Sequence, residues 1–102
     1  MLIDTACQAL RQGKTLELRY DGYSRALEVH ACGYTKQGHA VLRGWQVSGG
    51  SASGERQRWK LMRLEEASGA QLSDEPSQAP RKGYKLGDKD MARIICEISP
   101  GR

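Results

Sequence analysis

The chain has no phenylalanine, few cysteines and prolines, and no apolar run long enough to cross a membrane. Because phenylalanine is absent, Trp45, Trp59 and four tyrosines supply all the aromatic surface for a core or a binding site. The first residues, Met1-Leu2-Ile3-Asp4, carry neither the basic region nor the apolar stretch of a secretory signal. We therefore expect a cytoplasmic protein with no membrane partner.

Cysteine is scarce and is spaced unlike any common cysteine framework. Cys7, Cys32 and Cys96 are odd in number, and none belongs to a CxxC or zinc-finger spacing. His30 and Cys32 lie two residues apart and form a conceivable metal pair, but the sequence offers no further ligands at a metal-binding spacing. We expect no disulfide framework, which fits a reducing cytosol, and neither a metal nor a cofactor.

The sequence also lacks the residues that catalysis would need. Gly49 and Gly54 have the glycine spacing of a phosphate-binding loop, but Glu55 stands where that loop requires lysine. No cysteine–histidine pair has a group that would activate it, and the acidic pairs fall in predicted turns. The sequence therefore predicts a protein that is not an enzyme.

Positive charge is in moderate excess. Lysine and arginine number 16 against 12 acidic residues, which gives a net charge of +4 at pH 7 in 102 residues. This balance is compatible with a nucleic-acid, nucleotide or acidic-protein partner, and equally with an ordinary solvated surface, because no block of like charges occurs.

Apolar spacing predicts one helix followed by strands. Residues 2–12 place apolar side chains on one helical face, and Gly13 follows as a C-terminal cap. Residues 15–20 alternate as a half-buried strand, with Leu16, Leu18 and Tyr20 on one side. Asp21-Gly22 is a hairpin turn signal, and the next strand covers 24–35, with Leu27, Val29 and Ala31 facing the core and Glu28, His30 and Cys32 facing away.

The remaining pattern suggests further short strands within a single domain, residues 1–102. Strands are expected at 39–47, 56–63 and 70–72, with a Gly/Ser loop at 48–54. The core is expected within 2–72, followed by an irregular proline-containing connection at 73–87. The C-terminal element at 88–98 fits either a helix or a strand, and we favour a turn followed by a strand. The expected fold is mainly β with an N-terminal helix, either a small barrel or a curled antiparallel sheet.

Basic and aromatic residues on the predicted strands are the best candidate site. If the third and fourth strands pair, Arg43 and Trp45 are expected to share a face with Arg58 and Lys60. Arginine binds phosphate or carboxylate through two hydrogen bonds, and an indole offers a stacking surface. Arg25 and Arg63 lie near strand ends. The alternative is that Trp45 belongs to the core and the charges are ordinary surface.

Several segments, taken in order, resemble the WYL domain of bacterial regulators. They are Tyr20-Asp21-Gly22-Tyr23-Ser24-Arg25, Glu28-Val29-His30, Gly38-His39-Ala40-Val41-Leu42 and Trp59-Lys60-Leu61-Met62-Arg63-Leu64. The signature strand departs from the family, because only Leu42 of the Trp-Tyr-Leu motif is kept. The whole chain resembles short stand-alone proteins of this kind.

The resemblance implies a Sm-like, SH3-type barrel and a sensor role toward nucleic acid or nucleotide-like ligands. Tyr20, Arg25 and Arg63 match the family motif by position. We therefore expect a non-catalytic regulatory module that binds an anionic ligand. The full set of candidate ligand-binding residues is Tyr20, Arg25, Arg43, Trp45, Arg58, Lys60 and Arg63. The alternative function is a protein–protein or homodimerisation module without a nucleic-acid ligand.

Overall fold

A computed structural model describes residues 1–50 and 58–99 of the chain. These residues form one helix and six strands, with a short 3₁₀ turn at Leu64–Glu66. The elements are α1 (Leu2–Gln12), β1 (Lys14–Tyr20), β2 (Tyr23–Tyr34), β3 (Ala40–Gly49), β4 (Arg58–Arg63), β5 (Ala67–Pro76) and β6 (Arg93–Glu97). The prediction of a mainly β fold with an N-terminal helix is confirmed. No helix in the described ranges is long and apolar enough to span a membrane.

The helix forms where the apolar stripe predicts it. Gly13 adopts a left-handed conformation with φ of 67°, and its N–H caps the carbonyls of Ala9 and Leu10. The apolar side of α1 packs on one face of the sheet, against a core that includes Leu16, Leu27 and Leu42. We call this side of the sheet the helix face.

The strands form one antiparallel sheet in the order β4-β3-β2-β1-β5. The long strand β2 pairs with β1 through its first half and with β6 through its last four residues, while β3 runs along its other side. In the part of the chain that the structure describes, β4 and β5 do not pair, so the sheet is not closed into a barrel. Of the two expected architectures, the curled antiparallel sheet is consistent with this arrangement.

The hairpin between β1 and β2 has the turn that the sequence predicts. Asp21 and Gly22 both have positive φ, 52° and 79°, which is the conformation of a type I′ turn. The turn fixes the register of the pair, so that Tyr20 lies opposite Tyr23 and Leu18 lies opposite Arg25. Directly opposite residues share a face, and these four side chains therefore belong to the helix face.

A bulge in β2 overturns the expected alternation of its side chains. The pairing with β3 shifts between Val29 and Ala31, which places one extra residue in β2. As a result Cys32 joins the core under α1, whereas His30 contacts Trp59 on the opposite face. The prediction that His30 and Cys32 share an outward face is wrong, because regular alternation does not foresee an inserted residue.

The opposite face of the sheet is covered by the connection between β5 and β6. Met91 and Tyr84 from this connection pack with Ala31 and Val41 of the sheet. β5 continues to Pro76, which pairs with Lys14, so the irregular segment begins later than the predicted 73–87. Proline is tolerated there because, in the described part of the sheet, β5 pairs only with β1 and lies at an edge. The ambiguous C-terminal element contains the strand β6.

A disulfide between Cys7 and Cys96 joins α1 to β6, with Cα atoms 5.9 Å apart. The expectation of no disulfide is wrong on this point. The two cysteines are 89 residues apart in sequence, and only the pairing of β6 with β2 brings them together. Cysteine usage therefore no longer supports a reducing compartment.

Candidate anion-binding site

The register of β3 and β4 divides the predicted basic and aromatic residues between two faces. Trp45 lies opposite Trp59, while Arg58 lies opposite Gln46 and Lys60 opposite Gly44. Since neighbouring residues of a strand point to opposite faces, Arg58 and Lys60 lie on the helix face and Trp45 does not. The prediction that Arg43 and Trp45 share a face with Arg58 and Lys60 is therefore wrong.

Trp45 belongs to an aromatic cluster beneath the β5–β6 connection. Its ring meets that of Trp59 edge to face at 5.4 Å, and the guanidinium of Arg81 lies 5.7 Å from its centroid. Trp59 in turn contacts His30 at 4.7 Å. Burial lowers the pKa of His30, whose Nε2 accepts the backbone N–H of Arg81, so its proton resides on Nδ1. The cluster anchors the connection on the sheet.

Arg43 is neutralised by two carboxylates of the same connection. Its Nε lies 2.6 Å from Asp88 Oδ2, and its Nη2 lies 2.7 Å from Asp90 Oδ2. The hydrogen bond to Asp88 raises the pKa of Arg43. Burial raises the pKa of Asp88, but the hydrogen bonds from Arg43 and from the Asp90 backbone, together with the positive charges of Arg43 and Lys89, leave that pKa below its ordinary value. Arg43 thus ties the β5–β6 connection to the sheet.

Arg63 is linked to one other candidate residue, Tyr20, through a hydrogen bond of its backbone and through Glu66, which both residues contact. It forms an exposed ion pair with Glu66 at 3.7 Å, a contact that contributes little to stability. Its partner across the sheet is Val41, on the face that carries the aromatic cluster. The Arg63 side chain is therefore paired with Glu66 on that face, whereas Arg25 belongs to the helix face.

Arg25 is the most unusual charged group among the candidates. The residue is 6% exposed, and its Nη1 donates a long hydrogen bond of 3.4 Å to Gln46 Oε1. Within residues 1–50 and 58–99, its Nε has no hydrogen-bond partner and no carboxylate forms an ion pair with it. The guanidinium lies 5.2 Å from the ring centroid of Tyr20 and 5.7 Å from that of Tyr23. Two aromatic rings therefore flank a buried cation.

Two further cations stand beside Arg25 on the helix face. The pKa of Lys60 is lowered, chiefly by burial and then by the positive charges of Arg25 and Arg58. The geometry agrees, because Gln46 accepts the hydrogen bond of Arg25 and lies opposite Arg58 in the sheet. We call Arg25, Arg58 and Lys60 the basic cluster. The structure brings together three of the predicted residues from two strands that are not neighbours, β2 and β4.

Tyr20 and two residues that the sequence did not single out complete the surroundings of the basic cluster. The Tyr20 hydroxyl donates to Glu66 Oε1 at 3.3 Å, and burial raises the pKa of Tyr20. Gln46 contacts Arg25 and donates to the carbonyl of Gly50 at 3.2 Å. Tyr23 supplies the second ring. The strand register alone reveals these residues, because Tyr23 pairs with Tyr20 and Gln46 with Arg58.

A separate pocket of about 420 Å³ lies on the opposite face, beside Trp59 and Tyr84. Its charged lining mixes Arg43, Lys85 and Lys89 with Asp88 and Asp90. Because the carboxylates there balance much of the positive charge, this pocket favours anions less than the basic cluster does.

A scan of protein-family models, a search of curated proteins and a search of solved structures found no match to this chain. The functional argument therefore depends on the geometry of the basic cluster.

Proposed function

We propose that this protein is a WYL-like regulatory module that binds a phosphate-bearing ligand, a nucleotide or nucleic acid, at the basic cluster. The observation that carries the proposal is the guanidinium of Arg25, buried at 6% exposure with no carboxylate partner in the described ranges. The curled sheet supports the Sm-like part of the proposal, since β2 is shared by β1, β3 and β6.

Because the guanidinium of Arg25 is buried, its lack of a carboxylate partner among the described residues is energetically significant. A buried cation loses its hydration, and that loss is costly unless hydrogen bonds and an opposite charge replace the water. Within the part of the chain that the structure describes, Arg25 has one long hydrogen bond and two aromatic faces in place of an anion. Burial, and then the positive charges of Arg25 and Arg58, also lower the pKa of Lys60. A bound anion would compensate the buried charge of Arg25 and would also stabilise the protonated form of Lys60. We therefore expect the basic cluster to favour negatively charged ligands.

The chemistry of the cluster favours phosphate over a base as the recognised group. Arginine presents a planar fork that matches two phosphate oxygens, and its Nε–H is the unpaired donor here. Trp45 and Trp59 lie on the other face and do not contribute stacking to this site. Tyr23, which is 42% exposed, is the aromatic surface available beside the cluster.

The test is a titration with nucleoside mono- and diphosphates and with short single-stranded DNA and RNA at two salt concentrations. Because both tryptophans lie on the opposite face, the readout is the NMR signal of the Arg25 Nε–H, with calorimetry for affinity. We expect that signal to shift and the affinity to fall as salt increases. Arg25→Met should abolish binding, whereas Arg93→Met removes an exposed arginine of β6 and should preserve it. Equal binding by the two variants, or binding of no ligand, would refute the proposal.

Self-association through β4 is the second candidate function. Within the described part of the sheet β4 pairs only with β3, and its Leu61 is 40% exposed. An edge strand with unpaired backbone groups is a common place for a second chain to add. Measuring the mass in solution of the wild type and of Leu61→Lys tests it, and a wild-type monomer at high concentration would exclude it.

A further inference from the structure

Three cysteines from three separate elements meet in the core. Cys7 of α1, Cys32 of β2 and Cys96 of β6 have sulfur atoms that all lie within 4.8 Å of one another. Their exposures are 2%, 0% and 7%. Cys32 and Cys96 face each other across the β2–β6 pair, and Cys7 approaches from the helix above them. The sheet register and the helix position thus build a compact sulfur cluster.

Cys32 is a free, buried cysteine and lies directly beside the Cys7–Cys96 disulfide.

We propose that, once the Cys7–Cys96 disulfide is reduced, the three cysteines bind one soft monovalent metal ion, Cu⁺. Thiolate sulfur selects soft metals such as Cu⁺ and zinc. Structural zinc takes four ligands, and no histidine or carboxylate of the described residues joins the sulfur group. Metal–sulfur bonds of about 2.3 Å set three ligand sulfurs about 4 Å apart. The three sulfurs already lie within 4.8 Å of one another, and reduction frees those of Cys7 and Cys96 to separate.

Reduction and metal binding are two balanced steps. A dithiol reductant gives two electrons and two protons to the disulfide, whose S–S bond breaks to leave thiols on Cys7 and Cys96. The reductant itself becomes a disulfide. Cu⁺ then replaces the proton on each of the three thiols, and these three protons pass to solvent. Cys7 and Cys96 cannot be disulfide-bonded and metal-bound at the same time. Oxidation of their thiols to the disulfide therefore prevents metal binding.

The test compares reduced and oxidised protein in a competition for Cu⁺ against the chromogenic chelator bicinchoninate, without oxygen. The protein is reduced with dithiothreitol and desalted before the titration. We expect one equivalent of Cu⁺ to be retained by the reduced protein and none by the oxidised protein. Cys32→Ala keeps both disulfide cysteines, so its oxidised form serves as a folding control. Its reduced form should lose at least about tenfold in affinity.

A second readout separates a built site from adventitious thiol binding. Bound Cu⁺ should raise the melting temperature of the reduced wild type, because a ligand of the native state stabilises it, and should have a smaller effect on Cys32→Ala. Three results would each overturn the proposal. They are loss of all Cu⁺ from the reduced wild type to the chelator, equal affinity of the wild type and Cys32→Ala, and a reduced protein that stays unfolded with Cu⁺.

Discussion

The carboxylate of Glu28, in the middle of the sheet, accepts a hydrogen bond of 2.6 Å from Nε of Arg81. Glu28 is 2% exposed, and its second oxygen also accepts the backbone N–H of Gln78 at 2.9 Å. The pair ties the β5–β6 connection to β2. It also provides a contrast with Arg25, because both arginines lie against aromatic rings but only Arg81 has a carboxylate partner among the described residues.

The Glu28–Arg81 pair predicts an asymmetric response to mutation. Arg81→Ala leaves a buried carboxylate without its cation, and we expect the free energy of unfolding to fall by about 3 kcal/mol. Glu28→Gln leaves Arg81 with about a third of its side chain exposed, so water can solvate it, and should cost only about 1 kcal/mol. Urea denaturation of the two variants measures the difference. A larger loss for Glu28→Gln would contradict this account.

Arg25 should behave in the opposite way to Arg81. Arg25→Met removes a buried cation that has no carboxylate partner in residues 1–50 and 58–99, and replaces it with an apolar side chain of similar length. Such replacements are often neutral or stabilising, so we expect the free energy of unfolding to change by less than about 1 kcal/mol. Binding of phosphate ligands should nevertheless be lost. Chemical denaturation and calorimetry on the same sample test both parts, and a large loss of stability would make Arg25 a structural residue.

The lowered pKa of Lys60 predicts how binding depends on pH. Burial and the charges of Arg25 and Arg58 hold this pKa below its ordinary value of 10.5. An anion favours the protonated amine, so affinity should be constant while Lys60 is charged and should fall as the pH rises through its lowered pKa. Calorimetric titrations from pH 7.5 upward, where phosphate is fully ionised, measure this.

Lys60→Arg supplies the matched control for the pH dependence. Arginine remains charged over the whole range, with a pKa above about 12, so the decline in affinity should disappear. If the affinities of the wild type and of Lys60→Arg fall over the same pH range, a group other than Lys60 causes the pH dependence.

Gly33 has a position that only glycine fits. A Cβ there would collide with the carbonyl oxygen of Arg93, because β6 lies directly against β2 at this point. We expect Gly33→Ala to destabilise the protein by about 2–3 kcal/mol, since two backbones must separate. Gly38→Ala is the control. It has a φ of 88° but open space around it, and should cost only about 1 kcal/mol. Similar losses in the two variants would count against the close approach of β6.

Local sequence patterns predicted the elements whose conformation depends on near neighbours. The α1 stripe with its Gly13 cap and the Asp21-Gly22 hairpin turn both appear as expected. A cap and a two-residue turn are set by the φ preferences of a few residues, so their sequence signals are strong. The same turn fixes the register between β1 and β2 and so places Arg25 beside the Tyr20 ring.

The tertiary structure decided which charged residues are available to a ligand. Arg25 and Arg43 are both arginines, and they lie on neighbouring strands. Asp88, 45 residues away in sequence, pairs with Arg43, whereas no described carboxylate pairs with Arg25. The meeting of Cys7 and Cys96 likewise depends on where β6 lies in the sheet. The sequence by itself determined the helix, the first hairpin and the excess of positive charge. Long-range pairing of strands determined burial and charge partners, because contacts between distant segments leave no periodic signal in either one.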